Sequence, residues 1–328
     1  MRVFITGGSG LIGRNLARTL VEAGHHILIL SRRANELRRD PAMWPFRVVD
    51  GDPASPGEWR DEIQGCAAIV NLAGHNLFAE RWTRAAKAKI RDSRVRAAEQ
   101  LVAAVKRSSS RPRVFVQGSA IGYYGAHGDE ELTEASPPGS DFLADVCREA
   151  EAATEPLETL GVRRVIVRTG IVLAKGEGAL GAMTPIFKLA PGAPIGSGGR
   201  LGPAHGQQWM SWVHIDDIVG LFRLAVENDE ADGPLNGTSP NPVRNADFSR
   251  TLSQTLRNPV TPWRFFLPVG PPDALLKLML GEVATAVTTG QKVRPAKALG
   301  LGYNFLYPEL SAALRQIFHG KKPALSPR

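Results

Sequence analysis

The stretch Thr6-Gly7-Gly8-Ser9-Gly10-Leu11-Ile12-Gly13 decides the fold of this chain. An apolar run at residues 2–6 precedes it, and residues 11–23, with the apolar spacing of a helix, follow it. Gly7 permits a tight turn, Gly10 lets the backbone approach a pyrophosphate, and Gly13 allows the helix to pack closely on the strand. Free N–H groups at the start of that helix attract phosphate. The sequence therefore predicts a dinucleotide site, the alternative being a turn that serves backbone geometry alone. Its predicted members are Thr6, Gly7, Gly10, Leu11, Ile12 and Gly13.

The end of the second apolar run, residues 26–30, indicates which dinucleotide binds. An acidic residue there would accept hydrogen bonds from the ribose 2′-OH of NAD, whereas this chain has Ser31-Arg32-Arg33. A hydroxyl and two guanidinium groups suit a 2′-phosphate, and Glu36 lies too far along the chain to substitute easily. We therefore predict NADP(H), with a solvated basic loop as the alternative. After the third run, Asp50 is a candidate contact to the adenine amino group or a turn cap.

The first half of the chain alternates short apolar runs with longer segments of helical period. This order is typical of a parallel sheet with crossover helices, and it predicts an α/β fold with a Rossmann-type doubly wound parallel sheet. The predicted strands are residues 2–6, 26–30, 46–50, 68–71, 113–117 and 164–168. The predicted helices are residues 11–23, 97–106, 142–160 and 221–227.

The composition of the chain changes after Val172. Residues 175–203 are rich in glycine and proline, which predicts a long loop or lid over a site. We expect an NADP(H)-binding domain of residues 1–172 completed by about 205–235. The lid of about 173–204, together with residues 236–328, is expected to form a smaller C-terminal substrate lobe.

Composition also limits the classes of partner. The 328 residues are 43% hydrophobic and 22% charged, as in an ordinary globular protein. The net charge of +8 is compatible with binding of a polyphosphate ligand. The basic stretches lack the interleaved aromatic residues of a nucleic-acid surface, and the two cysteines predict neither a disulfide framework nor a metal site. We expect a cytoplasmic protein that acts on a small molecule without nucleic acid or membrane; the sequence leaves its oligomeric state open.

Three further motifs bear on the family of this chain, and the first two of them follow the fourth and fifth predicted strands. They are Asn71-Leu72-Ala73-Gly74, Gly118-Ser119-Ala120-Ile121-Gly122-Tyr123-Tyr124-Gly125 and Trp212-Val213-His214-Ile215-Asp216-Asp217. With the glycine turn, the chain resembles an extended short-chain dehydrogenase/reductase over nearly its whole length. More closely, it resembles the atypical branch labelled as NAD-dependent epimerases/dehydratases.

The resemblance implies a path for the cofactor. Ser119 would lie near the nicotinamide and the reacting carbon. The charged side chains of Arg94 and Lys89 would face the phosphates of the cofactor. The alternatives are structural: Ser119 ends a strand and Arg94 is a solvated helix charge. The other residues that the resemblance places along the cofactor are Leu72, Ala73, Gly74, Gly118 and Arg168.

The catalytic pair of the family is missing. Family members use a tyrosine as general acid/base and a lysine four residues later that lowers its pKa. The helix where this pair is expected, residues 141–148, has neither, and Cys147 on it is interpreted as a core residue. In one hypothesis the chain is an NADP(H)-dependent oxidoreductase or epimerase in which Ser119 with Tyr123 or Tyr124 supplies the proton, or substrate and water do so. In the other, the chain is an NADP(H)-binding sensor.

Three residues in or near the predicted lid are candidates for substrate binding. They are Arg200, Gln208 and Trp209. An arginine and an aromatic side chain suit a substrate pocket, which favours the enzyme hypothesis, although a plain flexible loop is the alternative.

Overall fold

The computed structural model describes residues 1–43, 45–189, 206–256, 282 and 289–320. The chain divides into two compact units. The first comprises Met1–Tyr123, Pro138–Thr169 and Ile218–Leu235; the second comprises Tyr124–Pro137, Gly170–Asp217 and Asn236–Arg328. This division differs from the expected one because residues 124–137, 170–172 and 206–217 belong to the second unit.

Short strands and intervening helices alternate along the described residues. The strands are β1 (Arg2–Thr6), β2 (His26–Ser31), β3 (Arg47–Asp50), β4 (Ala68–Asn71), β5 (Val114–Ala120), β6 (Glu131–Leu132), β7 (Arg163–Thr169), β8 (Ile171–Ala174), β9 (Trp209–Met210), β10 (Trp212–His214), β11 (Gly233–Gly237), β12 (Val243–Arg244) and β13 (Lys292–Val293). The helices are α1 (Leu11–Glu22), α2 (Ala34–Leu37), α3 (Arg84–Arg107), α4 (Phe142–Ala152), α5 (Gly178–Leu189), α6 (Ile215–Glu227), α7 (Asn245–Thr255), α8 (Ala296–Gly300) and α9 (Leu310–His319).

Seven strands form one sheet in the order β11-β7-β5-β4-β1-β2-β3. The strands from β7 to β3 pair in parallel, and the strand order reverses between β1 and β4, which confirms the predicted doubly wound fold. Because carboxyl ends of parallel strands share an edge, the glycine turn after β1, the loop after β4 and the end of β5 lie along the same edge. Ligands of open α/β sheets bind at such an edge.

The sheet is buried along its central strands. Val3, Phe4 and Ile5 of β1 have no exposed surface, as expected for a strand covered on both faces. The Phe4 ring stacks on the Trp59 ring with centroids 6.1 Å apart, in a core cluster that also includes Phe115.

Two helices of the first unit differ from their predicted extents. α3 begins at Arg84, before the predicted residue 97, because the Thr83 hydroxyl accepts a hydrogen bond from the Ala86 amide at 3.1 Å and caps it. α4 ends at Ala152, because Pro156 has no N–H to continue an α-helix, and Glu155–Leu160 form a separate 3₁₀ segment. The predicted helix at 221–227 likewise starts earlier, at Ile215.

The predicted lid is wrong over its first half. Gly178–Leu189 form the helix α5, in which the apolar residues between the glycines and prolines recur at helical spacing and Leu180 is fully buried. Residues 190–205, which include Arg200, lie outside the described residues.

The second unit combines short strand pairs with an apolar cluster. β8 pairs with β10 and β6 with β13 in parallel, while β9 and β12 pair antiparallel. The cluster contains Leu173, Leu180, Met210, Trp212, Phe248, Leu252, Tyr307, Leu310, Ala313, Leu314 and Ile317. Across the described parts of both units, no helix has the length and apolar character needed to cross a membrane.

Asp217 is a fully buried carboxyl group in the first turn of α6. Its side-chain oxygens accept hydrogen bonds from the Leu306 amide at 2.7 Å and the Tyr307 amide at 3.0 Å. Burial raises the pKa of Asp217 from 3.8 to about 6, although the two hydrogen bonds favour the charged form. Between these two values the folded chain holds a proton that the unfolded chain has released, so the free energy of unfolding falls as pH rises through this range.

The variant Asp217→Asn should remove this pH dependence. We expect the free energy of unfolding of wild type to lose on the order of 2 kcal/mol between about pH 4 and pH 7 through this group, and the variant to lack that decline. Urea unfolding at stepped pH measures both profiles. Asp247→Asn is the control, because Asp247 is half exposed in the first turn of α7. Parallel profiles for wild type and Asp217→Asn would contradict the assignment.

Candidate functional site

The glycine turn after β1 has room for no side chain at two positions. Gly7 adopts a positive φ of 66°, and a β-carbon there would lie 2.4 Å from the Leu72 carbonyl oxygen. A β-carbon at Gly13 would lie 2.4 Å from the Gly7 carbonyl oxygen. The Gly10 amide closes the turn by donating to the Gly7 carbonyl at 3.0 Å. The backbone itself therefore forms the surface of this turn, as close approach to a pyrophosphate requires.

Helix α1 starts directly at this turn. Its N-cap is Gly10, which provides no side-chain hydrogen bond, and the first turn, which the structure describes in full, contains no acidic residue. The first amides of the helix, from Leu11 and Ile12 onward, therefore keep their donor capacity and partial positive charge. Such a helix start is suited to a phosphate group.

A buried polar network supports the turn from within. The Thr6 hydroxyl donates to Asn71 Oδ1 at 2.6 Å, and Asn71 Nδ2 donates to Gln117 Oε1 at 2.9 Å. These residues lie opposite one another on β1, β4 and β5. Thr6 has no exposed surface, so its side chain holds the strand ends together and only its backbone borders the turn.

The segment predicted to select the cofactor follows β2. Arg32 and Arg33 are exposed, and the Ser31 hydroxyl accepts a hydrogen bond from the Arg33 amide at 3.1 Å. Arg33 Nη1 lies 3.6 Å from Glu36 Oε2, so this carboxylate is closer to the segment than its sequence distance suggested. Asp50 ends β3 directly opposite Ser31 in the sheet. Two guanidinium groups and a hydroxyl therefore stand at the end of the second strand.

The loop after β4 is fixed by two residues of α3. Arg94 Nη1 donates to the carbonyls of His75 at 3.1 Å and Ile90 at 3.0 Å, and Ser93 Oγ accepts from the His75 amide at 2.9 Å. A β-carbon at Gly74 would lie 3.0 Å from the Arg94 guanidinium carbon, so the arginine packs on this glycine. Burial lowers the pKa of Arg94.

Lys89, also on α3, has a different setting from Arg94. It is exposed and pairs with Glu80 at 3.0 Å, and this hydrogen bond lowers the pKa of Glu80. The structure thus places Arg94 against the predicted cofactor loop, in contact with Gly74, and gives Lys89 an acidic partner on the surface.

Ser119, Glu151 and Arg168 form a buried polar cluster at the end of β5. Ser119 Oγ donates to Glu151 Oε1 at 2.6 Å. Arg168 donates from Nε to Oε1 at 3.1 Å and from Nη2 to Oε2 at 2.8 Å of the same carboxylate. The Tyr123 ring lies over the Arg168 guanidinium with 3.4 Å between the guanidinium carbon and the ring centroid. Arg168, predicted to border the cofactor, is thus tied to Glu151 and Tyr123.

The sequence analysis missed Glu151. This residue lies four positions after Cys147 on α4, the spacing of the expected Tyr/Lys pair, but it lies beyond residues 141–148, where that pair was expected. The Cys147 thiol contacts the Ala120 carbonyl at 3.7 Å and also Ser119. Burial and the nearby Glu151 charge raise the pKa of Cys147 to about 11, so it stays a neutral thiol at ordinary pH, in agreement with its interpretation as a core residue.

A family model agrees with this geometry. The model of the NAD dependent epimerase/dehydratase family matches residues 3–236, which carry the glycine turn and the Ser119 cluster. The chain belongs to this family. A second model, that of a domain of unknown function called DUF1731, matches residues 271–317.

Similar proteins cover nearly the whole chain. The chloroplastic homolog of epimerase family protein SDR39U1 from Arabidopsis thaliana is 40% identical over 320 residues, which are 97% of this chain and 86% of that protein. The crystal structure of human epimerase family protein SDR39U1 (isoform 2) with NADPH is 31% identical with a TM-score of 0.80, covering 97% of this chain and 99% of that chain. A nucleoside-diphosphate sugar epimerase from Corynebacterium glutamicum is 31% identical with a TM-score of 0.74, covering 99% of this chain and 59% of that one. These likenesses confirm the predicted family and fold.

Tyr124 does not share the setting of Tyr123. It has no exposed surface, and its hydroxyl donates to Asn236 Oδ1 at 2.7 Å within the second unit. A phenol buried in this way has no open side for a substrate, so the expectation that Tyr124 supplies a proton is replaced by a structural role. Of the three residues predicted to be catalytic, Ser119 and Tyr123 are partly exposed.

Gln208 and Trp209 lie in the second unit, where they border an open cavity of about 310 Å³. The Arg244 guanidinium lies over the Trp209 ring at 4.1 Å, and Trp209 Nε1 donates to Asp129 Oδ1 at 2.9 Å. Asp129 also pairs with Arg244. The structure therefore brings two of the three predicted substrate residues together.

Proposed function

We propose that this protein binds NADP(H) and exchanges hydride with a small-molecule substrate, as an oxidoreductase or epimerase. The observation that carries the proposal is the turn after β1, where Gly7 and Gly13 leave no space for a β-carbon and α1 opens without a side-chain cap. Such a backbone cradle fits a pyrophosphate. When bound, the cofactor would supply a hydride donor or acceptor at its nicotinamide.

NADP(H) is proposed over NAD(H) because of charge at the end of β2. Arg32 and Arg33 add two exposed guanidinium groups beside Ser31, and guanidinium groups bind phosphate oxygens through paired hydrogen bonds. The crystal structure of the human relative with NADPH supports the same choice.

Ser119 is the proposed group that orients the reacting oxygen. It is partly exposed at the carboxyl end of β5, on the sheet edge that also carries the glycine turn. Tyr123 is its proposed companion, since the ring lies on Arg168 of the same cluster. Gln208 and Trp209 are proposed to bind the substrate in their own unit, on the support of the cavity they line.

A second candidate function is that of an NADP(H)-binding sensor without chemistry. The observation that favours it is the composition of α4, the helix on which the family's tyrosine and lysine were expected, because α4 contains neither residue. Turnover of any hydroxyl or carbonyl compound by the wild-type protein would decide for the enzyme.

The variant Arg32→Ala tests the choice of cofactor. Loss of a charge-assisted contact to the 2′-phosphate, about 1.5–3 kcal/mol, should raise the Kd of NADPH roughly 10- to 100-fold and leave the Kd of NADH unchanged. Fluorescence titration of the reduced cofactors measures both constants. Arg18→Ala is the control, because it removes the same charge from an exposed position of α1. Equal weakening of NADPH and NADH, or none, would reject the role of Arg32.

A further inference from the structure

The Ser119 hydroxyl has a fixed hydrogen-bond direction. Both carboxylate oxygens of Glu151 accept N–H groups of Arg168, so Glu151 acts as a hydrogen-bond acceptor in this cluster. The Ser119 Oγ to Glu151 Oε1 distance of 2.6 Å therefore describes a bond in which the serine donates its proton. Toward a ligand, Ser119 can therefore accept a hydrogen bond through the lone pairs of its oxygen.

Exposure distinguishes the members of this cluster. The side chains of Glu151 and Arg168 are 8% and 5% exposed, whereas Ser119 is half-buried. A ligand at this edge of the sheet would therefore meet the serine oxygen, and the carboxylate would act through it. A hydrogen-bond acceptor at this point matches a substrate hydroxyl group better than a substrate carbonyl group.

The charged and titratable groups around Glu151 come from three elements. Arg168 on β7 neutralises it directly, and Arg164 on the same strand donates to the Glu151 backbone carbonyl at 3.4 Å. Cys147 on α4 remains a thiol, because burial raises its pKa to about 11, so it does not compete as a base. Tyr123, from the segment after β5, covers the guanidinium of Arg168 with its ring face.

We propose that Ser119 and Glu151 form the proton-transfer pair of this site when a secondary alcohol is oxidised there. The inference rests on the proposed function. As the alcohol is oxidised, its carbon–hydrogen bond gives a hydride to NADP⁺ and its O–H proton moves to Ser119 Oγ. The proton of Ser119 moves at the same time to Glu151 Oε1. The products are a ketone, NADPH and a neutral Glu151 carboxyl group, which then releases its proton to water. Reduction of a ketone is the same sequence reversed.

In this arrangement Glu151 is a positioning residue. It sets the direction of the Ser119 hydrogen bond and holds the transferred proton without touching the substrate. Cys147 and Glu151 lie four residues apart on one face of α4, so the helix presents a thiol and a carboxylate beside Ser119. An acid and a serine thus perform the proton handling that a tyrosine and a lysine perform elsewhere in the family.

The kinetic test compares four variants of the full chain. The probes are 1-phenylethanol and cyclohexanol with NADP⁺, and acetophenone with NADPH. Ser119→Ala keeps the Glu151–Arg168 pair and should lower kcat about 100-fold or more, with the Kd of NADPH unchanged. Glu151→Gln should remove the acidic limb of the pH profile of kcat, whereas Glu151→Asp should retain that limb at reduced rate. Glu149→Gln, which alters a partly exposed carboxylate of α4 that pairs with Arg91, should match wild type.

A spectroscopic test needs no turnover. In infrared spectra of the NADP⁺ complex, subtracting the spectrum of Glu151→Gln recorded at the same pH removes the bands of Asp217 and the other carboxyl groups. The carbonyl band that remains in wild type should appear reversibly as pH is lowered while the protein remains folded. The same subtraction should leave this band in Glu149→Gln and shift it in Glu151→Asp. A band that appears only with unfolding overturns the proposal.

The outcomes separate this inference from the function beneath it. Failure to bind NADPH rejects the proposed function. Turnover that survives Ser119→Ala, or a pH profile that survives Glu151→Gln, overturns the proton-transfer pair while the function stands. If wild type binds NADPH but converts none of the probes, the infrared band decides: its reversible appearance supports the pair, and its absence overturns it. Should Glu151→Gln fail to fold, Ser119→Ala and Glu151→Asp carry the same test.

Discussion

Replacing Gly7 with alanine should raise the Kd of NADPH more than about 100-fold, a loss of about 3 kcal/mol or more. The added β-carbon would lie 2.4 Å from the Leu72 carbonyl oxygen and 2.6 Å from its carbon. Backbone atoms cannot rotate away as a side-chain tip can, so either the turn or the loop after β4 must move. Both border the proposed pyrophosphate position. Fluorescence titration with NADPH measures the loss, and circular dichroism checks that the sheet is retained.

Gly24→Ala is the matched control for this variant. Gly24 also has a positive φ, 82°, but a β-carbon there meets nothing within 4 Å. This control therefore includes the strain of a left-handed alanine, about 1–2 kcal/mol, without the steric clash. Gly24→Ala should bind NADPH like wild type. If both variants bind equally, the turn after β1 does not hold the dinucleotide.

Short-range patterns predict most of the nucleotide-binding architecture. The bounds of β1 and β4 follow directly from apolar runs, because strands buried on both faces have no polar residues to interrupt them. The glycine turn is readable for the same reason: its constraints come from residues adjacent in sequence. Only its long-range partner, the Leu72 carbonyl that excludes a side chain at Gly7, requires the folded structure.

Helix bounds were predicted less accurately where many charged residues obscure the apolar spacing of the buried face. The first half of α3 is dense in basic residues, and its few buried positions, Ala86, Ile90 and Val95, are too small or too widely spaced to show a periodic pattern. In α5 the opposite occurred, since glycine content indicated a loop while the apolar residues between the glycines form a helix. Composition averages over a segment, whereas a helix needs only one suitable face.

The Ser119 cluster shows what sequence could not provide. Its members come from β5, α4 and β7, and nothing in their local sequence shows that a glutamate on a helix pairs with an arginine at the end of a strand. Arg168 was predicted to border the cofactor. The folded structure is needed to show that it lies opposite Ser119 in the sheet and that it pairs with the carboxylate of Glu151. Tyr123 and Tyr124 are neighbours in sequence, yet one covers Arg168 and the other is buried against Asn236.

The variant Arg168→Met should destabilise the protein by roughly 3–5 kcal/mol. Removing the guanidinium leaves Glu151, 8% exposed, as a buried carboxylate without its bidentate partner. The desolvation cost of that charge, and not the net strength of the ion pair, sets the size of the loss. Urea unfolding followed by circular dichroism measures the change in the free energy of unfolding.

The double variant Glu151→Leu, Arg168→Met separates these two contributions. With both charges replaced by apolar side chains of similar length, no uncompensated charge stays buried, so most of the lost stability should return. The Ser119 hydroxyl, being half-buried, can then use water as its acceptor. The double variant should nonetheless lack the proton-transfer activity proposed for Ser119 and Glu151, because the carboxylate is gone. A double variant as unstable as Arg168→Met would show that the pair contributes through its hydrogen-bond geometry and not through charge compensation. If activity returned together with stability, Glu151 would take no part in proton transfer.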